Sequence, residues 1–355
     1  MKKPICFWYL TVAGLFIGVA ATAKATETDA SFKGRNVNFI VGLAAGGGYD
    51  QYARTIARHL DRHLPGRPSI VVQNMTGAAG LNATNWLYNI APRDGLTIGT
   101  TQRSVLVEPL YGTKEATFDP TKFSWISSIN DEAFIAVTWR GRNADSIKDA
   151  LHHEIVVAAD GPASDDFVWP TVLNNVIGTK FKVISGYKGK AEQRLAVRRG
   201  ETHGLIGWSW GALQSTEWDD YKAGNWQIIA HLGRGKHPDF NAPSIFDYAK
   251  TKEAEEVLDF LGSTLVLGRP VFAPPNIPAE RLAALRKAFD ETLRDPAFLA
   301  DAEKQKLEVS PTTGAELAER VARLYRTPQA VVQRAQEARK SSTDRRASAE
   351  QSIAR

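Results

Sequence analysis

Apolar runs typical of β-strands alternate with helical patterns along most of this 355-residue chain. Val37–Leu43 is a predicted buried strand, and the predicted helix Tyr49–Leu64 places Tyr52, Ile56 and Leu60 on one apolar stripe. Further strands are predicted at Ile70–Gln73, Leu96–Thr101, Glu154–Ala159, Lys182–Ser185 and Gly204–Gly207, with helices at Leu81–Ile90, Phe167–Val176 and Lys190–Arg199. Strands that alternate with helices build parallel sheets flanked by helices, so the pattern predicts an α/β fold.

The length of the chain predicts about two domains. From Pro278 onward the pattern is almost wholly helical, with helices expected at Ala279–Leu293, Pro296–Gln305 and from Gly314 to about Ala338. We expect the chain to cross between domains within Asp131–Arg142 and again within Gly262–Pro274. The predicted division is therefore residues 26–133 with 264–338 in one lobe, 134–263 in the other, and a flexible basic tail at 339–355.

The first 25 residues have the pattern of a secretory signal peptide. A basic start is followed by an apolar run from Ile5 to Ala23 and a small-residue step. Cleavage is predicted after Ala23 or Ala25, which places the mature protein in the periplasm. An uncleaved anchor is the alternative, but the run is just short of the ~20 residues that a membrane span needs. Cys6 is the only cysteine, so the mature protein is predicted to contain none.

The body of the chain is close to electrically neutral. The sequence has a formal net charge of +5, but residues 1–25 hold three lysines and no acid, and residues 339–355 hold five basic residues and two acids. Residues 26–338 are left with a net charge of −1. The basic balance of the whole chain therefore gives no indication of nucleic-acid binding.

Two small-residue loops follow predicted strands and open predicted helices. The first is Leu43-Ala44-Ala45-Gly46-Gly47-Gly48-Tyr49-Asp50, and the second is Asn74-Met75-Thr76-Gly77-Ala78-Ala79-Gly80-Leu81. A dinucleotide motif would need glycine in place of Gln51, and no phosphate-binding G-x-x-x-x-G-K-[ST] occurs. Since adjacent parallel strands end at one edge of the sheet, the loops are expected to face one crevice and to suit a small carboxylate.

An ordered set of segments also carries a family resemblance. The segments are 44–54, 71–80, 91–95, 187–189, 272–278 and 294–298. Together they resemble the extracytoplasmic receptors of tripartite tricarboxylate transporters, the Bug family, with this chain a divergent member. The resemblance implies a periplasmic binding protein of type II-like fold, with two lobes that each contain a mainly parallel sheet. It further implies a monomer without a cofactor that closes on a small carboxylate and hands it to a membrane permease.

The resemblance also implies which residues bind the ligand. In the first lobe these are Ala45, Gly46, Gly47, Gly48 and Tyr49 with Gly77, Ala78, Ala79 and Gly80; in the second lobe they are Ser164, Asp165 and Tyr187. Asp50 is expected either to face the cleft or only to favour the positive end of its helix dipole. Ser164 is expected either to donate to the ligand or to cap a helix without touching it. Asp165 and Asp166 stand where the family usually has a neutral or histidine-containing stretch. The ligand class therefore stays open between di- or tricarboxylates and aromatic or longer-chain acids.

Two further candidates come from positions after strands. The loop with Gln102, Arg103 and Ser104 could present Arg103 to a second carboxylate as a bidentate fork, or leave it as a surface arginine. Trp208 or Trp210, within Gly207–Gly211, could stack on a ring or an apolar chain, or lie in the core.

Three alternative functions are weighed against the receptor. The stretch Gly207-Trp208-Ser209-Trp210-Gly211 matches the G-x-S-x-G of serine hydrolases, but a triad would have to use Asp219 or Asp220 with His231 or His237 within one short span. His59 and His63 have the spacing of a metal pair but lack the glutamate of H-E-x-x-H, which favours a solvated helix face. A co-receptor that senses a ligand for a histidine kinase would share the same cleft.

Overall fold

The structure is a computed structural model, and it describes residues 31–341 except 131–132, 162–163 and 188. The first sheet contains β1 (Asn36–Val41), β2 (Ser69–Asn74), β3 (Thr97–Thr100), β4 (Ser124–Ser128), β10 (Pro270–Ala273) and β11 (Thr312–Thr313). The second contains β5 (Phe134–Trp139), β6 (Ile155–Ala159), β7 (Phe181–Ser185), β8 (Gly204–Ser209) and β9 (Trp226–His231). The helices are α1 (Gly48–Leu60), α2 (Leu81–Asn89), α3 (Ile147–His152), α4 (Asp165–Val176), α5 (Lys190–Arg199), α6 (Trp210–Lys222), α7 (Lys252–Leu265), α8 (Ala279–Thr292), α9 (Pro296–Lys304), α10 (Gly314–Leu324) and α11 (Gln329–Ala338).

The first sheet has the strand order β11-β4-β10-β3-β1-β2. β1 pairs in parallel with both β2 and β3, while β10 pairs antiparallel with β3 and β4. We call this sheet with α1, α2, α8 and α9 the first lobe, because these helices pack on the sheet or on each other. The three parallel strands therefore end at one edge, and the loops that follow them lie side by side.

The second sheet has the order β7-β6-β8-β5-β9. β6 runs parallel to β7 and β8, and β5 runs antiparallel to β8 and β9. We call this sheet with α4, α5 and α6, which pack on it, the second lobe. The loops after β6, β7 and β8 thus also share one edge, and α4, α5 and α6 begin there.

The apolar stripe of α1 accounts for its position on the first sheet. Tyr52, Ile56 and Leu60 are buried in a cluster that includes Phe39 of β1 and Phe289 of α8. The two phenylalanine rings meet edge to face, with centroids 6.3 Å apart. Burial of such side chains contributes about 1.5–3 kcal/mol each, which fixes the start of α1 at the sheet edge.

The predicted two-lobed α/β fold is confirmed, but both sheets are mixed rather than mainly parallel. The additional strands β4, β5 and β10 lie where the chain passes between the sheets, from Ser128 to Phe134 and from Leu265 to Pro270. An alternating pattern reports only strands that are joined by helices, and β4 and β5 follow each other with no helix between them. The antiparallel pairing therefore left no signal in that pattern.

The C-terminal helices also differ from the prediction. One helix was expected from Gly314 to about Ala338, but the chain forms α10 and α11 with a break before Pro328, because proline removes a backbone donor and disfavours a helical residue before it. α11 packs on α7 and α4, and Arg334 pairs with Glu256 at 2.6 Å. Asn175 of α4 donates to Ala338 O at 2.8 Å and to Lys340 O at 3.0 Å.

Both termini extend beyond the described residues. The predicted signal peptide, residues 1–25, lies outside them, and so does most of the basic tail. Within the tail, Arg339 lies 4.4 Å from the ring centroid of Tyr111, and Lys340 pairs with Glu337 at 2.6 Å, so these two residues contact the folded body. Across the described part of the chain, no helix combines the length and the apolar character that crossing a bilayer requires.

Candidate functional site

The loops that follow β1, β2 and β3 meet at one edge of the first sheet. A Cβ placed on Gly42 would come 3.1 Å from Gly80 Cα and 2.9 Å from Thr101 Cγ2, so the three loops are in close contact. The side chain of Thr101 is fully buried, and its hydroxyl has no hydrogen-bond partner within the part of the chain that the structure describes. The structure thus brings together the two glycine loops and the Gln102–Ser104 segment, as the strand pattern predicted.

The first glycine loop leaves the start of α1 exposed to solvent. Residues 44–48 are exposed, and the residue before the helix, Gly47, has no side chain to cap it. The first amides of a helix have no intrahelical acceptor, so those of Gly48 and Tyr49 point out of the helix end. Such a helix start favours an anion through both its free donors and its dipole.

Asp50 faces into the protein rather than into the crevice. Its carboxylate, only 2% exposed, accepts from Gly46 N at 2.8 Å, Arg54 Nε at 2.9 Å and Asn74 Nδ2 at 2.9 Å. Asn74 also donates to Leu43 O at 2.9 Å, so it ties the end of β2 to the first glycine loop. Of its two expected roles, Asp50 does not take the one that faces the cleft; it instead shapes the loop and engages the amide of Gly46.

The charge of Asp50 is stabilised by these same partners. Burial by itself would raise the pKa of this carboxyl, but the hydrogen bonds from Arg54, Gly46 and Asn74 outweigh burial and hold the pKa below its ordinary value. Asp50 is therefore ionised wherever the protein is folded near neutral pH. Its negative charge also lies in the first turn of α1, where the helix dipole favours it.

The second glycine loop has a backbone that few side chains tolerate. Gly77 and Gly80 have φ of 128° and 102°, and Ala78 between them adopts a left-handed φ of 45°. The φ of Gly77 lies in a region that side chains rarely adopt, so glycine is favoured there whatever the surrounding space. Strained backbone of this kind concentrates at ligand sites, and here it precedes the start of α2.

Arg103 reaches from the third loop of the first lobe to the second lobe. Its guanidinium forms an ion pair with Asp165, the first residue of α4, and lies 4.4 Å from the ring centroid of Phe134. The backbone amide of Arg103 donates to Tyr49 Oη at 3.3 Å. The side chain is only 9% exposed, so Arg103 is not a surface arginine. The carboxylate on its guanidinium is that of Asp165, and contact with a ligand carboxylate stays a prediction.

The facing edge of the second lobe is built around a buried carboxylate. Asp166 is 1% exposed, and its partners are Lys190 Nζ, Gln193 Nε2 at 2.6 Å and the hydroxyl of Ser164. Burial would raise the pKa of Asp166, but Lys190 above all holds it below its ordinary value. In contrast, burial and the charge of Asp166 raise the pKa of Asp160 at the end of β6. The hydroxyl of Ser164 therefore donates to the carboxylate of Asp166 and does not cap α4.

Four of the five α-helices that open at these two edges lack a side-chain cap, and the exception is α6, which Ser209 caps. α1, α2, α4 and α5 begin without a side-chain cap, and the residues that precede α1, α2 and α5 are glycines. α3, α6, α7, α9 and α10 begin with a side-chain cap from Ser146, Ser209, Thr251, Asp295 and Thr313, whereas α8 and α11 follow prolines. The first-turn amides of four helices are thus left for another acceptor.

A second concave region lies where the lobes join. A cavity of about 530 Å³ is bordered by Phe134, Trp210, His231 and Val266, and by Glu308, whose carbonyl accepts from Tyr52 of the first lobe. Nearby, Lys306 Nζ donates to Ser215 O at 2.9 Å. This seam between α6 and the end of α9 is a direct contact between the lobes.

Comparison with known proteins identifies the fold. No protein-family model matches the chain, and no curated protein matches it in sequence. A TctC solute-binding protein from Polaromonas is 16% identical with a TM-score of 0.64, over 86% of this chain and 100% of that chain. MatC from Rhodopseudomonas palustris with bound malate is 17% identical with a TM-score of 0.56, over 84% and 98% of the two chains. An R. palustris protein with adipate is 18% identical with a TM-score of 0.58, over 86% and 96%. This is the two-lobed fold of solute-binding proteins.

Trp208 lies within the core of the second lobe. It is 1% exposed, its ring centroid is 5.6 Å from that of Trp226, and the guanidinium of Arg194 lies 5.9 Å from it. The indole ring of Trp208 therefore has no free face on which a ligand could stack. Of the two roles predicted for Trp208, the structure shows the core position and not the ligand contact. Trp210 is 3% exposed, and its Nε1 donates to Asp239 at 3.0 Å.

Tyr187 is half-buried on the side of the second lobe that carries α5. With Glu192, Leu195 and Glu201 it borders a cavity of about 320 Å³. Burial, with Glu201 and Glu192, raises the pKa of its phenol. The described contacts of Tyr187 are thus with its own lobe, and its contact with a ligand stays a prediction.

The residues of the predicted hydrolase triad have other partners. Ser209 caps α6, since its hydroxyl accepts from Ala212 N at 3.2 Å. His231 binds Gly235 O at 2.8 Å and accepts from Gly233 N at 3.3 Å, which engages both ring nitrogens. His237 Nδ1 accepts from Asp239 N at 3.2 Å. This arrangement gives the hydrolase interpretation no support.

His59 and His63 are bound by two different carboxylates. His59 Nε2 lies 2.9 Å from Asp301, and His63 Nε2 lies 2.9 Å from Asp295. Among the described residues no cluster of three metal-ligating side chains occurs. The pair therefore joins α1 and the turn that follows it to α9, which is a packing role that the spacing alone did not reveal.

Sequence reasoning missed several residues that shape this region. Arg269, between α7 and β10, lies 4.4 Å from the ring centroid of Tyr52 and 5.5 Å from that of Tyr49. One guanidinium nitrogen would be 3.5 Å from a Cβ on Gly48, so the cation lies beside the start of α1. Lys190 and Phe134 were missed as well. No local motif marks them, because each is defined by a partner that is distant in the sequence.

Proposed function

We propose that this protein is a periplasmic solute-binding receptor that captures a small carboxylate between its lobes and delivers it to the permease of a tripartite tricarboxylate-type transporter. The observation that carries the proposal is the set of uncapped helix starts at the facing edges of the two sheets. In the first lobe, the amides after Gly47 and Gly77 supply hydrogen-bond donors without a full positive charge. A carboxylate is an anion of the size that such donors suit.

The structural neighbours support the same ligand class. MatC was solved with malate, and the other R. palustris protein with adipate. Both ligands are carboxylates. A periplasmic location would follow from removal of residues 1–25 as a signal peptide, with cleavage after Ala23 or Ala25. The lobes would close around the ligand by a hinge movement at the two chain crossings.

Residues of the proposed site fall into two groups. Those that bind the carboxylate are the backbone amides of Ala45, Gly48, Tyr49, Gly77, Ala78 and Ala79, whereas the amides of Gly47 and Gly80 already donate to Ala44 O and Gly77 O. Those that border the ligand are Gln102, Arg103, Ser104, Ser164 and Asp165, and Asp50 positions the first loop. Trp208 is left out, because its ring is buried.

Ligand binding to the folded state alone must stabilise it. At a ligand concentration of 100 times Kd the gain is about 2.7 kcal/mol, which raises the melting temperature by several degrees. We would screen the purified protein by thermal shift with mono-, di- and tricarboxylates and aromatic acids, using the primary amide of each acid as its matched control. An acid that stabilises while its amide does not is the expected result. Stabilisation by another ligand class and by no acid would refute the proposal.

A further inference from the structure

We propose that Asp165 determines the ligand specificity of this receptor: by pairing with Arg103 across the cleft it occupies the guanidinium that a second ligand carboxylate would need, and it selects acids with a single carboxylate. The inference rests on the proposed function and names the substrate class of that same site. It starts from an ion pair that joins two lobes, formed by residues 62 positions apart.

The guanidinium of Arg103 is held in one orientation. Phe134, at the first position of β5, lies 4.4 Å away, and Asp165 binds the nitrogen Nη2. The backbone of Arg103 is itself fixed by Tyr49, the second residue of α1. Because Arg103 follows β3 at the edge that carries both glycine loops, the cation borders the proposed carboxylate site.

Asp165 presents to Arg103 the same chemical group that a dicarboxylate would present. It is the first residue of α4, and its side chain is 28% exposed, whereas that of Arg103 is 9% exposed. Asp165 lies at the N-terminus of α4, where the helix dipole favours an anionic side chain. Its carboxylate therefore competes with a ligand carboxylate for the guanidinium of Arg103. A diacid must therefore displace it, whereas a monoacid bound by the glycine loops leaves the pair intact.

The charge of the facing edge supports this selection. Three carboxylates lie on the described part of that edge, those of Asp160, Asp165 and Asp166. Lys190 pairs with Asp166, and Arg103 pairs with Asp165, which leaves one carboxylate without a matching cation among these residues. The excess negative charge would repel a second anionic end of a ligand, whereas it would not repel a neutral or cationic end.

The test compares acids of equal length that carry one or two carboxylates. We would measure Kd by calorimetry on the purified full chain for butyrate and succinate, hexanoate and adipate, and 4-methylbenzoate and terephthalate. For the wild type, we expect the monoacid of each binding pair to bind at least tenfold more tightly than its diacid. In the Asp165→Asn variant, we expect the diacid to gain at least tenfold and the monoacid to change less than threefold.

The ratio of the two affinities separates specificity from a purely structural role. If the ion pair only held the lobes together, Asp165→Asn would change both affinities by the same factor. Asp219→Asn is the matched control, because Asp219 on α6 is fully exposed and the substitution removes the same charge. Arg103→Gln combined with Asp165→Asn should cancel the gain for diacids. Asp165→Ser is a second variant that also removes the carboxylate, and it should show the same gain for diacids. Circular dichroism on every variant checks that the protein is folded.

The outcomes distinguish the two proposals. If diacids bind the wild type as well as monoacids do, or if Asp165→Asn leaves the ratio unchanged, the specificity inference is wrong while the receptor proposal stands. If no acid of either kind binds the wild type, the receptor proposal fails and the inference fails with it.

Discussion

Asp50 shows how a single acid can organise a site that it does not enter. Its position at the start of α1 is visible in the sequence, and the sequence suggested contact with a ligand. The structure turns the carboxylate inward, where it accepts from a glycine amide, an arginine and an asparagine. Asn74 and Arg54 could not be assigned as partners of Asp50 from the sequence, since Asn74 ends β2 and Arg54 lies one helical turn along α1 among many exposed charges.

Substitution of Asp50 by asparagine tests this organising role. Asp50→Asn removes the ion pair with Arg54 and weakens the bond from the Gly46 amide, so we expect a loss of about 1–2 kcal/mol in the free energy of unfolding and weaker carboxylate binding. Because folding lowers the pKa of Asp50, its contribution is present above the unfolded pKa of ~3.9 and is lost as pH falls through the folded pKa. Urea unfolding at pH 7 and at pH 3 should show the difference between variant and wild type shrinking at the lower pH. A constant difference would contradict the assignment, and Asp219→Asn serves as control.

The raised pKa of Asp160 predicts the opposite dependence of stability on pH. Burial and the neighbouring charge of Asp166 raise its pKa on folding, so the folded state binds this proton more tightly than the unfolded state does. Its ionisation therefore destabilises the fold as pH rises through the interval between the two pKa values. Asp160→Asn should raise the melting temperature at pH 7 and have no effect well below the unfolded pKa. Melting curves from pH 3 to pH 8 test this, and a lower melting temperature at pH 7 would count against it.

At the scale of elements, the proposed site is a set of helix starts. The strands β1, β2, β3, β6, β7 and β8 and the helices between them followed from apolar periodicity, because each buries a regular face against its sheet. Their loops were recognisable by small residues. The missing side-chain cap of α4 was not recognisable from the sequence, since Ser164 stands at a capping position. Only the structure shows that its hydroxyl donates to Asp166 instead.

Adding a cap to α1 should have opposite effects on stability and binding. Gly47 has φ −77° and ψ 167°, a conformation that serine adopts readily at a helix start. In Gly47→Ser, the hydroxyl would accept from a first-turn amide, so we expect a slightly higher melting temperature and carboxylate affinity about tenfold lower. Gly47→Ala is the matched control, because it adds the Cβ without the oxygen. Equal affinities of the serine and alanine variants would show that these amides do not bind the ligand.

Across the whole molecule, the lobes are joined by more than the two chain crossings. α10 packs on β4 of the first lobe and on α7, α7 packs on α11, and α11 packs on α4 of the second lobe. The sequence predicted two lobes and approximate crossings, yet it assigned the C-terminal helices to the first lobe alone. That contact depends on which exposed helix faces meet, and periodicity shows that a face is apolar without identifying its partner.

Asn175 holds the end of α11 against the second lobe. Asn175→Ala removes two hydrogen bonds to the carbonyls of Ala338 and Lys340, with an expected cost of about 1–2 kcal/mol. Hydrogen exchange should become faster in residues 329–340 and stay unchanged in α8. Uniformly faster exchange would mean that α11 is not a separate unit, and unchanged exchange would mean that these bonds do not hold it.

The contact between Lys306 and Ser215 has a practical consequence. Residues 31–341 contain no cysteine, so Lys306→Cys would supply a single thiol at the seam between α6 and α9. If the lobes close on a ligand as proposed, an environment-sensitive dye on that thiol would sit between surfaces that move relative to one another. The labelled protein would then report the concentration of its ligand as a change in fluorescence emission, without any enzyme to couple to.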